Sequence, residues 1–336
     1  MAERPPLVQA LLAPQAYPHH PQEIDLAQTQ MSFIFLTGDY VYKVKKSVNL
    51  GYLDYTTLEK RRHFCHQEVL LNRRLCPEVY LGVVPITEEN GEYAIDGRGE
   101  IVEYAVKMRQ LPDDRMMDSL IRNNKLSPEM VVRVARKLAR FHKGAETNDE
   151  IACYGDLSIL ITNTEENFDQ TEKYIGISIL RRKYDAIKSY TRSFIEGNAA
   201  LFHQRTRNGR IRDCHGDLHA AHVCFTNGIH IFDCIEFNDR FRYCDVASEI
   251  AFLAMDLDFL ERPDLSRRFV EAYIQASGDW GIEELLNFYK CYRAYVRGKV
   301  ESFKLDDVHL SEEEKDRVLD IARRYFKLAE SYISHI

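Results

Sequence analysis

The sequence lacks the features that mark secreted, fibrous, membrane-spanning and nucleic-acid-binding chains. Its eight cysteines contain no Cys-x-x-Cys pair, and it has only 16 glycines and 10 prolines in 336 residues; these counts do not fit a disulfide scaffold or a low-complexity chain. No run approaches the roughly 18 apolar residues of a membrane helix. The N-terminus lacks the basic start and apolar run of a signal peptide. With 45 basic and 52 acidic side chains, the chain has no general attraction for nucleic acid. We expect a soluble cytoplasmic protein without nucleic-acid or membrane partners.

What the sequence does contain fits a large globular protein. Hydrophobic residues make up 45% of the chain and charged residues 29%, which is enough to bury one large or two medium cores. Residues 1–22 are rich in proline and histidine and predict an N-terminal arm. Strands are then predicted at Ser32–Leu36 and Tyr40–Lys45, with hairpin chemistry between them at Thr37-Gly38-Asp39. A long helix follows over about 57–75.

A second hairpin is predicted at Asp96-Gly97, between strands Glu92–Ile95 and Ile101–Met108. From about residue 111 the periodicity becomes helical, and Ser127-Pro128-Glu129 and Ser311–Glu314 are typical helix starts. The pattern predicts an α+β chain with two lobes. These are a sheet-rich lobe with one long helix over 23–108 and a larger helical lobe over 109–336.

The densest group of functional side chains lies in residues 212–222. It contains His215, Asp217, His219 and His222, and it precedes a short strand pair that ends in Asp233. Two interpretations fit these residue types. In one, the three histidines, with Asp217 among them, bind zinc or iron in a metal-dependent hydrolase. In the other, Asp217 orients a hydroxyl for phosphoryl transfer, and Asp233 holds magnesium on nucleotide phosphates.

The second interpretation is supported by a resemblance to a known family. The run His215-Gly216-Asp217-Leu218-His219, followed by the strand pair and Ile231-Phe232-Asp233, resembles the signature of the aminoglycoside phosphotransferase and choline kinase group. That group has the two-lobed protein-kinase-like fold. The run Phe241–Ala247 is similar to the segment that follows the metal loop in this family. The resemblance implies that Asp245 opens a helix and braces the catalytic loop.

Residues 32–86, with Tyr40–Lys43 and Leu58–Arg62 in order, further resemble an uncharacterised bacterial branch of these phosphotransferases. Its members are often fused to a C-terminal P-loop domain. The motif Gly-x-x-x-x-Gly-Lys-Ser/Thr is absent here, so the chain corresponds to the kinase-like part. A separate P-loop partner protein is therefore one expectation.

The resemblance also assigns nucleotide-binding residues in the sheet lobe. Lys43 would contact the α- and β-phosphates of ATP, and Glu68 on the long helix would orient it, with Glu59 as the fallback. Ser32 lies in the place of the phosphate-covering loop, although that turn lacks glycines. Met108 ends the stretch at the lobe junction whose backbone would contact the adenine.

The catalytic assignments fall on the His-Gly-Asp loop and on the strand pair. The resemblance implies Asp217 and His215 as catalytic residues, and Asp233 with His222 as the metal site. The family pattern has asparagine where this chain has His222, and neutral imidazole is a poor ligand for Mg²⁺. His222 therefore suggests phosphate contact, binding of Mn²⁺ or lost activity.

Three functions are predicted in order of preference. The first is an ATP-dependent phosphotransferase that acts on a hydroxyl of a small-molecule acceptor. The second is a non-catalytic ATP-binding regulatory module. The third is a metal-dependent hydrolase that uses His215, His219 and His222. Glu236 and Asp239 are expected either to line the substrate side or to lie in a solvated loop.

Overall fold

A computed structural model describes residues 5–333 and divides the chain into two compact units. The sheet unit comprises the chain to Ser119 together with Ala221–Asp239, and the helical unit comprises Leu120–Ala220 together with the chain from Arg240. Helices account for 55% of the chain and strands for 17%, which confirms the predicted α+β class. The predicted lobe boundary between residues 108 and 109 stays a prediction. The compact units place Ala221–Asp239 with the sheet.

Ten strands are present in the described residues. They are β1 Asp25–Gln28, β2 Ser32–Leu36, β3 Tyr40–Lys45, β4 Tyr80–Glu89, β5 Glu92–Ile95, β6 Glu100–Arg109, β7 Ile211–Asp213, β8 Val223–Phe225, β9 Ile229–Ile231 and β10 Tyr243–Asp245.

The same residues form thirteen α-helices, besides short 3₁₀ turns. They are α1 Pro6–Ala10, α2 Leu58–Asn72, α3 Met117–Arg122, α4 Pro128–Gly144, α5 Asp149–Ala152, α6 Leu157–Thr171, α7 Arg181–Gly197, α8 Ala199–Arg207, α9 Asp239–Arg242, α10 Val246–Phe259, α11 Pro263–Ser277, α12 Ile282–Lys304 and α13 Glu312–Ile333. No helix within residues 5–333 is both long enough and apolar enough to span a bilayer.

The sheet unit is built on a six-stranded antiparallel sheet with the order β1-β2-β3-β6-β4-β5. The predicted hairpin of β2 and β3 is confirmed, with Gly38 at φ +86° in its turn. One face of the sheet packs on the N-terminal segment, where Val8, Leu11 and Tyr17 join Phe35 in a buried cluster. The predicted arm is therefore part of the core of this unit.

The predicted hairpin between β5 and β6 is wrong. β5 pairs with β4 instead, and β4 lies between β5 and β6 in the sheet. The tight turn is at Asn90 and Gly91, which have φ of +55° and +85°, and two successive residues with positive φ suit a two-residue hairpin. Asp96-Gly97 is a turn as predicted, but it leads the chain past the end of β4.

The helical unit is organised around α10. Every residue from Val246 to Leu257 is buried, as expected for a helix that is apolar on nearly all sides. Helices α11 and α12 pack against α10, α4 packs on α11, and α13 packs on α12. Both predicted helix starts are confirmed. Ser127 Oγ accepts from Met130 N at 3.3 Å, and Ser311 and Glu314 form a reciprocal capping box.

Candidate functional site

Lys43 and Glu68 meet on the face of the sheet that packs against α2. Side chains alternate between the two faces of a strand, so Tyr42 and Val44 point to the N-terminal segment while Lys43 points to α2. Cys65 and Val69 of α2 pack on the same face. The helix thereby holds Glu68 with Oε1 2.9 Å from Lys43 Nζ, so the predicted pair is brought together.

Asp233 reaches the same lysine from the chain segment after β9. Its Oδ1 lies 2.6 Å from Lys43 Nζ, and its carboxylate is 41% exposed. The Asp233 backbone has φ +63°, a left-handed conformation that is uncommon for a residue other than glycine. Tyr80 OH accepts a hydrogen bond from Asp233 N at 3.2 Å. Lys43, Glu68 and Asp233 therefore form one ionic cluster inside the sheet unit.

His222 lies next to Asp233 because β8 and β9 are antiparallel, with Val223 opposite Ile231. The residue before β8 is thereby close to the residues that follow β9. The imidazole Nε2 is 3.4 Å from Asp233 Oδ2, and Phe232 N donates to His222 O at 3.1 Å. Neighbouring ligands on one octahedral ion lie about 3 Å apart. A carboxylate oxygen and an imidazole nitrogen at this spacing fit a divalent cation that accepts mixed nitrogen and oxygen ligands.

The opposite charges of the cluster keep one another ionised although the groups are buried. Burial alone would lower the pKa of the Lys43 ammonium, but the Asp233 and Glu68 carboxylates raise that pKa well above its usual range. Burial likewise favours the neutral acid of Glu68, yet Lys43 and Lys45 hold its pKa below the usual value. Both lysines and Glu68 are therefore charged at neutral pH.

The role of Lys45 was not predicted from the sequence. Its side chain is 1% exposed, and its Nζ lies 2.7 Å from Glu68 Oε2 and also contacts Glu236. Tyr55 OH donates to Glu236 Oε1 at 2.6 Å. The available signal was strand alternation, which places Lys43 and Lys45 on the same face. Glu236 is buried, so the expectation of a solvated loop is wrong for this residue, whereas Asp239 is exposed.

Two further residues predicted to bind nucleotide, Ser32 and Met108, lie on β2 and β6 of the same sheet. Ser32 is buried, and its N–H donates to Thr29 Oγ1 at 3.1 Å. Met108 is also buried and lies in the middle of the sheet, in register with Val41 and Tyr80. Their contacts with a nucleotide stay predictions.

In the helical unit, Glu249 of α10 holds the loop that carries Asp217. Glu249 Oε1 accepts hydrogen bonds from His215 N at 2.6 Å and Gly216 N at 2.8 Å. Its Oε2 lies 2.5 Å from His142 Nε2. Burial alone would raise the pKa of this carboxyl, but His142 and the backbone N–H groups lower that pKa to about 2. Glu249 is therefore an ionised brace.

The expectation for Asp245 concerns the same end of α10. Asp245 does open α10, because its Oδ1 accepts from Ala247 N at 2.8 Å. Its two oxygens lie 2.5 and 2.7 Å from Arg205, and its bracing of the His-Gly-Asp loop stays a prediction. Glu249 lies four residues further on in α10, and its carboxylate accepts from the loop N–H groups. The same Arg205 also binds Asp279 at 2.9 and 3.0 Å.

The loop presents Asp217 from this fixed backbone. The Asp217 carboxylate is 33% exposed, and its Oδ2 lies 3.6 Å from His219 Nε2. His215 is fully buried, and its Nδ1 accepts from Asp217 N at 3.3 Å. The loop is anchored again where Ala220 N donates to Asp256 at 2.8 Å. His215 is thus placed to brace the loop, and Asp217 is its accessible carboxylate.

Comparison with solved structures identifies the fold. The choline/ethanolamine kinase family protein of Mesorhizobium loti matches with a TM-score of 0.52 at 11% identity, over 97% of each chain. The GDP complex of aminoglycoside 2'-phosphotransferase-IIIa matches with a TM-score of 0.50 at 13% identity, over 91% of this chain and 93% of that one. This chain has the protein-kinase-like fold. The resemblance inferred from the His-Gly-Asp loop is confirmed at the level of the fold.

Sequence relatives of this kinase-like chain are found in mycobacteria. Uncharacterised proteins of Mycobacterium tuberculosis and Mycobacterium bovis are 32% identical to it over 317 residues. The match covers 93% of this chain and 60% of theirs, so the chain spans about three fifths of the length of the curated relatives it matches. No family model matches the chain.

Proposed function

We propose that this chain is an ATP-dependent phosphotransferase that moves the γ-phosphate to a hydroxyl group of a small-molecule acceptor. The observation that carries the proposal is the Lys43 ammonium, which lies 2.9 Å from Glu68 and 2.6 Å from Asp233. Phosphoryl transfer in this fold depends on a strand lysine paired with a helix glutamate, and on an aspartate at a strand end. Those three groups meet inside one compact unit.

Each residue has a role that its surroundings support. Lys43 stays charged, as its raised pKa requires, and would bind the nucleotide phosphates. Asp233 and His222 would hold a divalent cation, which neutralises charge on the phosphate oxygens. Asp217, accessible on a braced loop, would accept or orient the proton of the acceptor hydroxyl.

The nature of the acceptor is proposed only as a class. Proteins that share this fold include a choline/ethanolamine kinase family member and an aminoglycoside phosphotransferase. Because one fold hosts many acceptors, these neighbours support a small alcohol in general. The net charge of −7 is compatible with a cationic acceptor.

One observation favours a second candidate, a regulatory module that binds ATP without turnover. His222 stands beside Asp233, where an oxygen ligand would suit Mg²⁺ better. If the altered site binds nucleotide but does not support transfer, a partner protein would respond to the bound state. The hydrolase hypothesis has less support, because His215 is buried under its own loop.

The deciding experiment measures ADP release with a panel of small hydroxyl compounds in Mg²⁺ and in Mn²⁺. We expect metal-dependent turnover that Asp217→Asn lowers by about 10²–10⁴-fold, the usual contribution of a general base. Asp316→Asn is the matched control, because Asp316 is an exposed aspartate of the helical unit on α13. ATP binding without ADP release for any acceptor would support the regulatory module. Tightly bound stoichiometric metal that is lost in His219→Ala would support the hydrolase.

A further inference from the structure

A second buried lysine lies beside Lys43, and the proposed phosphate contacts give it no role. Lys45 Nζ contacts Glu68 at 2.7 Å, Glu236 and the Tyr55 hydroxyl at 3.4 Å. Its ammonium also lies 4.9 Å from the centre of the Tyr55 ring. Burial alone would lower the Lys45 pKa, but Glu236 and Glu68 raise it well above its usual range. A buried charge of this kind is expensive unless its partners are fixed around it.

One partner of Lys45, the carboxylate of Glu236, belongs to the segment that carries Asp233. The 233–238 loop is held along its length within the sheet unit. Cys234 N donates to Asn72 Oδ1 at 2.9 Å, and Asn238 Nδ2 donates to Tyr52 O at 3.1 Å. Between these points, Glu236 is the charged group that ties the loop to β3. The loop needs such restraint because Asp233 has φ +63°, a strained conformation for a residue other than glycine.

We propose that Lys45 and Glu236 form a clamp that positions Asp233 for metal and nucleotide binding. The carboxylate of Glu68 is divided between two lysines, with Oε1 on Lys43 and Oε2 on Lys45. Lys43 then contacts Asp233, and Lys45 contacts Glu236 three residues later. The loop is thereby fastened to β3 and α2 at two points. The clamp acts on the metal through Asp233 and rests on the proposed function.

The rival explanation is that the pair only stabilises the fold. Lys45→Met alone does not distinguish the clamp from a purely stabilising pair. It leaves the buried carboxylates of Glu236 and Glu68 with one ammonium fewer, which lowers stability whether or not the pair positions Asp233. The double variant Lys45→Met with Glu236→Gln removes both charges. Tyr55 OH still has an acceptor in the glutamine and Glu68 keeps its contact with Lys43, so part of the lost stability returns. The connection between β3 and the loop is still lost.

The experiment compares wild type, Lys45→Met, Glu236→Gln and the double variant by two measurements. Hydrogen exchange of the peptide covering residues 232–238 reports the order of the loop without any ligand. Mn²⁺ titration followed by electron paramagnetic resonance, with a non-hydrolysable ATP analogue present, reports metal affinity. Lys60→Met is the matched control, because Lys60 forms an exposed ion pair with Asp54 in the same unit.

In the double variant we expect faster exchange in this peptide and metal affinity weaker by about 10–100-fold, the usual effect of removing a group that orients a ligand. Lys60→Met should leave both unchanged. Unaltered exchange in the double variant would overturn the clamp, as would faster exchange with unaltered metal affinity. If wild type binds no Mn²⁺ with the analogue, the proposed function fails and with it the clamp's role in metal binding. The exchange data then still decide whether the clamp orders the loop.

Discussion

Replacing Glu249 with glutamine tests how strongly the His-Gly-Asp loop depends on one buried charge. Glu249 is fully buried, accepts two backbone hydrogen bonds from the loop and lies 2.5 Å from His142 Nε2. Glutamine is nearly the same size and keeps one carbonyl oxygen for the loop N–H groups. The change therefore removes the charge and the contact with His142, and it opens no cavity.

The expected loss follows from the pKa of this carboxyl, which falls from an ordinary 4.5 to about 2 in the folded chain. Each pH unit between folded and unfolded pKa values is worth about 1.4 kcal/mol, so the ionised form contributes about 3 kcal/mol. We therefore expect Glu249→Gln to lower the free energy of unfolding at pH 7 by about 3 kcal/mol.

The pH dependence gives the same prediction a second test. Since the folded pKa lies below the unfolded one, the stabilisation is fully present above about pH 5 and declines as the pH falls towards 2. The stabilisation from ionised Glu249 should be smaller than at pH 7 by about 1 kcal/mol at pH 4 and by about 2 kcal/mol at pH 3. The stability difference between wild type and variant should shrink accordingly in acid.

The assay is urea unfolding followed by circular dichroism from pH 7 to pH 3. Glu271→Gln on α11 is the control, because that glutamate is half exposed and lies 4.0 Å from Arg268; a surface pair of this kind contributes at most about 1 kcal/mol. A loss below about 1 kcal/mol at pH 7 would refute the reasoning. A difference that stays constant from pH 7 to pH 3 would show that the charge of Glu249 is not its cause.

Three further variants test other parts of the structure. Gly298→Ala should lower the free energy of unfolding, measured in urea, by about 1–3 kcal/mol, because the new Cβ would lie 2.9 Å from the Phe326 ring. This steric cost should exceed the gain from the higher helix propensity of alanine, and unchanged stability would contradict the packing. Arg205→Met should cost about 3–5 kcal/mol, because it removes the guanidinium that pairs with the buried Asp245 and leaves the buried Asp279 with the more distant Arg210 at 3.6 Å; a smaller cost would mean that water reaches these aspartates. His222→Asn should raise Mg²⁺-supported nucleotide binding relative to Mn²⁺-supported binding, since an amide oxygen is a harder ligand beside Asp233; an unchanged ratio would remove His222 from the metal site.

Features with local causes were predictable from the sequence. The hairpin of β2 and β3 follows from Thr37-Gly38-Asp39, and the capped starts of α4 and α13 follow from hydroxyl and carboxylate residues at set spacing. The grouping of Lys43, Glu68 and Asp233 did not follow from local causes. It came from resemblance to a family, because the carboxylates lie 25 and 190 residues along the chain from the lysine.

The errors arose where several segments compete for one position. Asp96-Gly97 has the residues of a tight turn. The hairpin nevertheless forms earlier in the chain, at Asn90-Gly91, so that β5 pairs with β4. Glu249 was not predicted to brace the His-Gly-Asp loop, because only the packing of α10 brings its carboxylate to the loop N–H groups. Neither outcome can be read from the turn or cap residues alone, since both depend on the path of distant chain segments.

Lys45 shows the same limit for buried charge. Lys43 and Lys45 occupy equivalent places on one strand face, yet their side chains are 15% and 1% exposed. The difference comes from Tyr55 and Glu236, which the chain brings to Lys45 from 10 and 191 residues away. In the sequence Lys45 resembles an ordinary strand lysine, and only its neighbours in the folded chain make it a buried charged residue.

The charge of the completed cluster bears on what it binds. Lys43 and Lys45 supply two ammonium groups, and Glu68, Asp233 and Glu236 supply three carboxylates, so these five side chains together carry one negative charge. Such a cluster would repel a polyphosphate. A divalent cation beside Asp233 would reverse the sign to one positive charge, which attracts a polyphosphate. If the proposed function is correct, nucleotide binding should therefore depend on metal, and Asp233→Asn should weaken that dependence by removing both a ligand and a charge.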